Sequence, residues 1–316
     1  MKTEGGTVKG KIRFYCEALE VTRYGFYLYL ENLGKSSKYA DLIAKIYEII
    51  DEDECNDTYG RERIFVALKL KREIAEAAGE DFPHVPSEGT VRKIMISEGL
   101  IHEPKRKPGG LTKADKEAQK SDNLIKSAEK EKSDFAAEKP CEKIVGDITE
   151  TPCLDGKLYI SIFADCFNNE ILGLSMADNM RAELVRDTLK MAVSLHPELR
   201  MNSAIAHTDR GSQYTSDLYR KYIEKQGLRQ SMNSAAGRCH DNAKAESIFA
   251  RFKEELFYGR YDTRQMTMAQ VKTLVWRYFM SYWNNRRICM ANGGLPPTVK
   301  RNRYYEAQKM PLDLAA

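Results

Sequence analysis

The stretch AIAHTDRGSQYTS, residues 204–216, breaks in its middle: a short apolar run ends in His207-Thr208-Asp209, and a Gly-Ser turn follows at once. A brief apolar run bounded by turn formers reads as a buried strand. A carboxylate where such a strand stops is either a turn residue or one member of a group of acids. The neighbouring elements bear on the choice.

Upstream, EKIVGDITE (142–150), KLYISIFAD (157–165) and EILGLSMA (170–177) read as three strands, the last two separated by the turn CFNN. RAELVRDTLKMAVSL (181–195) is a helix with Leu184, Thr188, Met191 and Leu195 on one side. After the strand at 203–209 come a helix, SDLYRKYIEKQ, a strand, LRQSM, a loop, NSAAGRCH, and a long helix, DNAKAESIFARFKEELF (241–257). Three meandering strands followed by alternating helices and strands imply an α/β mixed sheet with helices on its faces. Asp147 then lies within the first strand and Asp209 at the end of the fourth, while Asp165 reads as a structural turn acid.

The last helix offers a third acid. Ala245, Ile248, Phe249, Phe252 and Leu256 define its buried stripe, Glu246 sits at the stripe's border, and Asp241 or Asn242 caps its start. Lys253 follows seven residues after Glu246, nearly above it along the axis. Carboxylates gathered at one place raise each other's pKa unless cations neutralise them. Oxygen donors without histidine or cysteine favour magnesium, with manganese as a substitute. A pair of such ions, one beside the attacking hydroxyl and one beside the departing oxygen, would suit phosphodiester chemistry.

Residues 1–102 carry helical periodicity instead. A helix restarts after Thr22, and YADLIAKIYEII (39–50) and YGRERIFVALKLKREIAEA (59–77) follow. Ser87 is placed to cap EGTVRKIMISEGL, whose apolar side is Val91, Ile94 and Met95. These short helices suit an all-α helix-turn-helix region or an ordinary helical bundle. Residues 103–140, opening EPKRKPGG, read as a charged linker in which Lys105, Arg106 and Lys107 are candidate phosphate contacts. Residues 141–262 form the core, and 263–316 a basic helical extension.

Between Thr263 and Tyr305 there is no Asp or Glu, while eight Lys and Arg fall there, so this end is expected to meet a polyanion. The seven cysteines make no C-x-x-C pair and no recurring spacing with the five histidines, which suggests reduced thiols in a cytoplasmic setting. No apolar run reaches membrane-spanning length and no signal-peptide region opens the chain.

HTDRGSQYTS, GLRQSMNSAAGRCHDNAKAESIFARFKEEL and YFMSYWNNRRICMANGGLPP resemble the OrfB-type transposases of the insertion sequence 3 family. GDITE resembles their first-aspartate motif, and the likeness covers nearly the whole chain. It implies an RNase H-like, retroviral-integrase-type core with an Asp-Asp-Glu triad on Asp147, Asp209 and Glu246, and Lys253 contacting DNA beside the cleaved phosphate. It also implies magnesium-dependent cleavage at element ends and transfer of the 3′-hydroxyl. The implied partners are double-stranded DNA at terminal repeats and at the target, further copies of the chain on that DNA, and an upstream-frame product, within the bacterial cytoplasm and nucleoid. Asp209 and Glu246 stand 37 positions apart (246 − 209), one more than is usual in the family, with the extra residue in NSAAGRCH. GDITE lacks the tryptophan and tyrosine that often flank the first aspartate.

Arg92 and Lys93 on the recognition helix are candidate DNA contacts. Arg286 and Arg287 either touch DNA or cap a helix end, where cations are favoured. Tyr278, Phe279, Tyr282 and Trp283 read as core, and His207 and His240 as structural histidines. The alternative to a DNA strand-transferase is a DNA-binding repressor of transposition with an inert core. A ribonuclease H or junction resolvase is a third reading, disfavoured by the helix-turn-helix and the basic tail.

Overall fold

The computed structural model describes residues 12–32, 37–101, 121–126, 133–233 and 242–309. The chain forms two compact units, residues 1–45 and 46–316. In the first, α1 (Ile12–Ala18) and α2 (Arg23–Asn32) are separated by a short turn, and α2 starts where Thr22 Oγ1 accepts from Gly25 N at 3.0 Å. The division falls within α3 (Ala40–Asp51).

Helices α4 (Arg61–Ala78) and α5 (Glu88–Ser97) fold with the remainder of the second unit. Gly79 stops α4 in a left-handed conformation, φ 73°, that a side chain would oppose. Val91, Ile94 and Met95 are the buried face of α5, as their spacing requires. The connection from Gly79 to Ser87 is longer than the three- or four-residue turn of a helix-turn-helix.

The sheet has five strands: β1 (Lys143–Cys153), β2 (Gly156–Asp165), β3 (Ile171–Ala177), β4 (Ile205–Thr208) and β5 (Arg229–Met232). Their spatial order is β3-β2-β1-β4-β5, with β1, β2 and β3 antiparallel and β4 and β5 parallel to β1. A three-strand meander extended by two parallel crossovers is the RNase H-like arrangement. Helix α6 (Ala182–Leu195), the single-turn α7 (Glu198–Met201) and α8 (Ser212–Thr215), and α9 (Asp217–Lys225) make the crossovers.

Strand alternation sorts the apolar residues onto two faces. Ile144, Phe163 and Leu172 pack with Val185, Leu189 and Val193 of α6 and Tyr219 and Ile223 of α9. Val145, Ile160 and Ile162 pack against α10 (Ala243–Phe252) through Ala245, Ile248, Phe249 and Phe252. Beyond α11 (Met268–Trp276), the π-helical run Arg277–Trp283 closes this second core with Tyr278, Phe279, Tyr282 and Trp283, all buried. The chain's last described helix is α12 (Pro297–Lys309).

The face expected of α6 is corrected. Leu184 and Thr188 are buried, but Leu195 is 57% exposed and the stripe continues through Val185, Leu189 and Ala192. Thr188 sits inside the stripe because its hydroxyl donates to Leu184 O at 2.7 Å.

Gly146, beside Asp147, is fixed by packing. A Cβ there would lie 2.4 Å from Cε1 of Phe163, a fully buried ring on the neighbouring strand. Gly146→Ala is expected to destabilise the protein by about 1–3 kcal/mol. The measurement is the urea midpoint at unchanged m-value; an unmoved midpoint would show that the ring can yield.

Candidate active site

Three elements bring the acids together. In the parallel β1–β4 ladder, Lys143 pairs with Ile205, Ile144 with Ala206 and Val145 with His207. Continuing that register by two residues sets Asp147 level with Asp209, one strand spacing of about 4.8 Å away. Asp147 shares the parity of Val145, which packs on the α10 side of the sheet. Helix α10 is tied to that side at its first turn: Asn242 Nδ2 donates to Gly146 O at 3.2 Å, and Lys244 Nζ to Cys166 O at 2.8 Å. Asn242 occupies the N-cap position, but its side chain holds β1 instead of the helix's own N–H groups. Asp241 and His240 lie outside the described residues.

Asp147 is half-buried and Asp209 half-buried, while Glu246 is exposed at the edge of the α10 stripe. Burial pushes the Asp147 carboxyl up to about 7, and the charges of Asp209 and Glu246 push the same way, against an Ile148 N–H bond of 2.8 Å and Lys253. Burial raises Asp209 too, opposed by the Gly211 N–H that donates to its Oδ1 at 2.9 Å. Lys253 is half-buried. Burial lowers its pKa, while Asp147 and Glu150 raise it, so its ammonium belongs to the same electrostatic neighbourhood. It opens the π-helical continuation of α10, Lys253–Phe257.

The folded Asp147 binds its proton more tightly than the unfolded chain does. Its contribution to stability is therefore full below the ordinary value of 3.8 and lost as pH rises through about 7. Without divalent ions, Asp147→Asn is expected to be more stable than wild type at about pH 8, by a few kcal/mol at most, with the gap closing toward about pH 4. Urea titrations in EDTA across that range check this; a gap independent of pH would contradict the repulsive site.

The base of the site is a hydrogen-bonded clamp that sequence reading missed. Arg210, buried, donates from Nε to Asn233 O at 2.5 Å. His207 Nδ1 meets Ser231 Oγ at 2.8 Å and its Nε2 meets Asn233 Oδ1 at 3.0 Å, so this histidine is structural, as expected. The only hint was the HTDR order itself, in which a basic residue follows the acid. Asp165 is likewise structural: its carboxylate accepts from Cys141 N and Phe167 N.

The expected DNA-contact residues divide. Arg92 and Lys93 are exposed on α5. Lys105, Arg106 and Lys107 lie outside the described residues. Arg286 is exposed but pairs with Asp53 at 3.3 Å. Arg287 is corrected: it is 5% exposed, bonded twice to Glu255 and stacked over Trp283, so its guanidinium is spent inside the fold. The acid-free window 263–305 is also less basic than it reads. Arg277 pairs with Asp53 and Glu54, and Arg301 with Glu170, acids supplied from elsewhere in the chain.

A family model described as "Integrase core domain" matches residues 137–239, which include Asp147 and Asp209. The chain is 32% identical over 289 residues to the "Putative transposase InsK for insertion sequence element IS150" of Escherichia coli (strain K12), covering 91% of this chain and 92% of that protein. The chain belongs to the insertion sequence 3 family of transposases. This transposase is also 29% identical to the "Transposase InsF for insertion sequence IS3A" of the same strain, over 92% of its own length and 94% of the relative's. Among solved structures, the simian T-cell lymphotropic virus intasome in complex with PP2A regulatory subunit B56 gamma aligns with a TM-score of 0.40 and 14% identity, over 56% of this chain and 57% of that one. The transposase is an enzyme of the metal-dependent DNA-cutting and DNA-joining class. Among its described residues no helix is long and apolar enough to cross a membrane.

Proposed function

We propose that this transposase cleaves DNA strands at the ends of its element and transfers the freed 3′-hydroxyl to a target phosphodiester, with Asp147, Asp209 and Glu246 as its acid triad. The observation that carries the reading is the β1–β4 register, which draws two acids from distant parts of the sequence level with each other under α10. The site fits divalent ions on its own chemistry: its donors are carboxylates, and Asp147 is raised to about 7 by burial and two acidic neighbours, a surplus of negative charge that a cation relieves. Magnesium suits that donor set, manganese can replace it, and two such ions would supply stabilisation of the charge that develops at the phosphoryl group.

The chain's own residues do the rest. Asn242 and Lys244 hold α10 against the sheet and so fix where Glu246 presents its carboxylate. Lys253 offers a cation beside Asp147 for a phosphate oxygen next to the one attacked. Arg92 and Lys93 present a basic face on α5 toward duplex DNA, with Arg286 as a further contact. Joining two ends calls for more than one copy on the DNA, with or without an upstream-frame partner, and the work is done on nucleoid DNA in the cytoplasm.

A labelled duplex carrying the element's terminal repeat tests this. Nicked and joined products are expected with magnesium or manganese and none in EDTA, while binding persists in all three. Binding without nicking in any of them would favour an inert repressor.

A further inference from the structure

Spacing along the chain offers no zinc motif, yet folding assembles a mixed donor set away from the triad. Cys141 precedes β1, His196 follows α6 and Glu198 opens α7, and their ligand atoms all lie within 4.8 Å of one another. This cluster sits at the edge where β1 enters the sheet, more than about 13 Å along the strand from Asp147. It is therefore a different place from the acids.

Two further observations mark it. Cys141 has a left-handed backbone, φ 59°, unusual for a residue with a side chain. That conformation is held from both sides: Cys141 N donates to Asp165 Oδ2 at 2.9 Å, and Asn202 Nδ2 donates to Cys141 O at 3.2 Å. The effect is to fix a buried thiol beside His196 and Glu198 at a conformational cost. Among the described residues, Glu198 Oε2 is shielded from solvent and has no hydrogen-bond partner. A buried carboxylate oxygen with no donor is costly, and a cation satisfies it.

We propose that Cys141, His196 and Glu198 form a binding site for a divalent ion of the zinc class. Thiolate, imidazole and carboxylate are zinc's usual donors, at about 2.0–2.3 Å, and a tetrahedral ion holds its ligands about 3.5 Å apart. Bringing ligand atoms that lie within 4.8 Å of one another to that spacing is a contraction of about 1 Å. Binding displaces the thiol proton to solvent, and the thiolate and carboxylate together balance the ion's two charges. Arg301 also has to move: its Nη1 lies 3.4 Å from His196 Nδ1 and must withdraw onto Glu170, with which it already pairs at 2.5 Å. The ion would then clip the entry of β1 to the α6–α7 corner.

Cobalt(II) is the probe, because a thiolate ligand gives it a charge-transfer band that carboxylates do not. Chelator-treated full-length protein is expected to develop that band with one equivalent of cobalt, and to lose it on adding zinc but not magnesium. The Asp147→Asn, Asp209→Asn, Glu246→Gln triple variant is expected to behave identically. Cys141→Ser should abolish the band, and His196→Gln and Glu198→Gln should each weaken cobalt binding at least ~10-fold. A folded wild type without the band, or a band surviving Cys141→Ser, overturns the site. Should Cys141→Ser not fold, unchanged affinity in the other two variants overturns it equally.

Discussion

Asp209→Asn and Glu246→Gln are each expected to retain binding to element-end DNA while cutting strand cleavage at least ~10³-fold, because each removes a full charge from the acid group while keeping its shape. Neither change should disturb the fold. Asn at 209 keeps an oxygen for the Gly211 N–H now bonded to Oδ1. Glu246 is exposed, and Gln is an equally good helix former. Binding is read by gel shift and cleavage by product formed over time in magnesium. Full cleavage by either purified variant would remove that residue from the triad. Asp147→Asn should fail in the same assay while being the more stable protein in alkaline, metal-free buffer, a separation of activity from stability expected of a site built from mutually repelling groups.

The second large effect is on folding. Glu255→Gln is expected to destabilise the protein by about 3–5 kcal/mol, because it strands the buried Arg287 guanidinium and takes a partner from the half-buried Arg63. Glu255 Oε1 accepts from Arg63 at 2.9 Å and Arg287 at 2.6 Å, and Oε2 accepts from Arg287 and the Tyr278 hydroxyl, each at 2.8 Å. Burial alone would raise this carboxyl; Arg287 and then Arg63 overcome it and hold it at about 2. The folded value is thus depressed, so the stabilisation is present above the ordinary 4.5 and lost as pH falls toward 2. Urea denaturation of wild type and variant should differ most near neutrality and converge in acid. Equal midpoints at neutral pH would show that the arginines find other partners.

The succession of strands and helices was legible because it depends on local patterns: strand alternation, the turn after Asp209, and the stripe of α10 with Glu246 at its border. That Asp147, Asp209 and Glu246 act as one set was implied by the resemblance, not by those patterns. Pairings across the chain were not legible. Arg287 reads in RRICMANGG as a DNA contact or a helix cap, and nothing near it announces Glu255, 32 residues earlier. Arg277 and Arg301 lose their apparent surplus charge in the same way, to Asp53 and Glu170. Thr188 and Leu195 misled the reading of α6 because periodicity locates a stripe only to within a residue or so, and a buried hydroxyl hides by bonding its own helix. Cys141 and His196 escaped because a donor set gathered by a fold leaves no spacing to recognise.

The shared register of β1 and β4 has a corollary for tolerance to length change. Adding one amino acid between Lys143 and Asp147 would turn that carboxylate to the opposite side of the sheet, toward α6, and no rotamer could return it. Helix α10 is seated instead by the side-chain tethers of Asn242 and Lys244, which extra length between Asn233 and Asn242 leaves in place. Insertions should therefore be lethal to catalysis between Lys143 and Asp147 and nearly silent between Asn233 and Asn242.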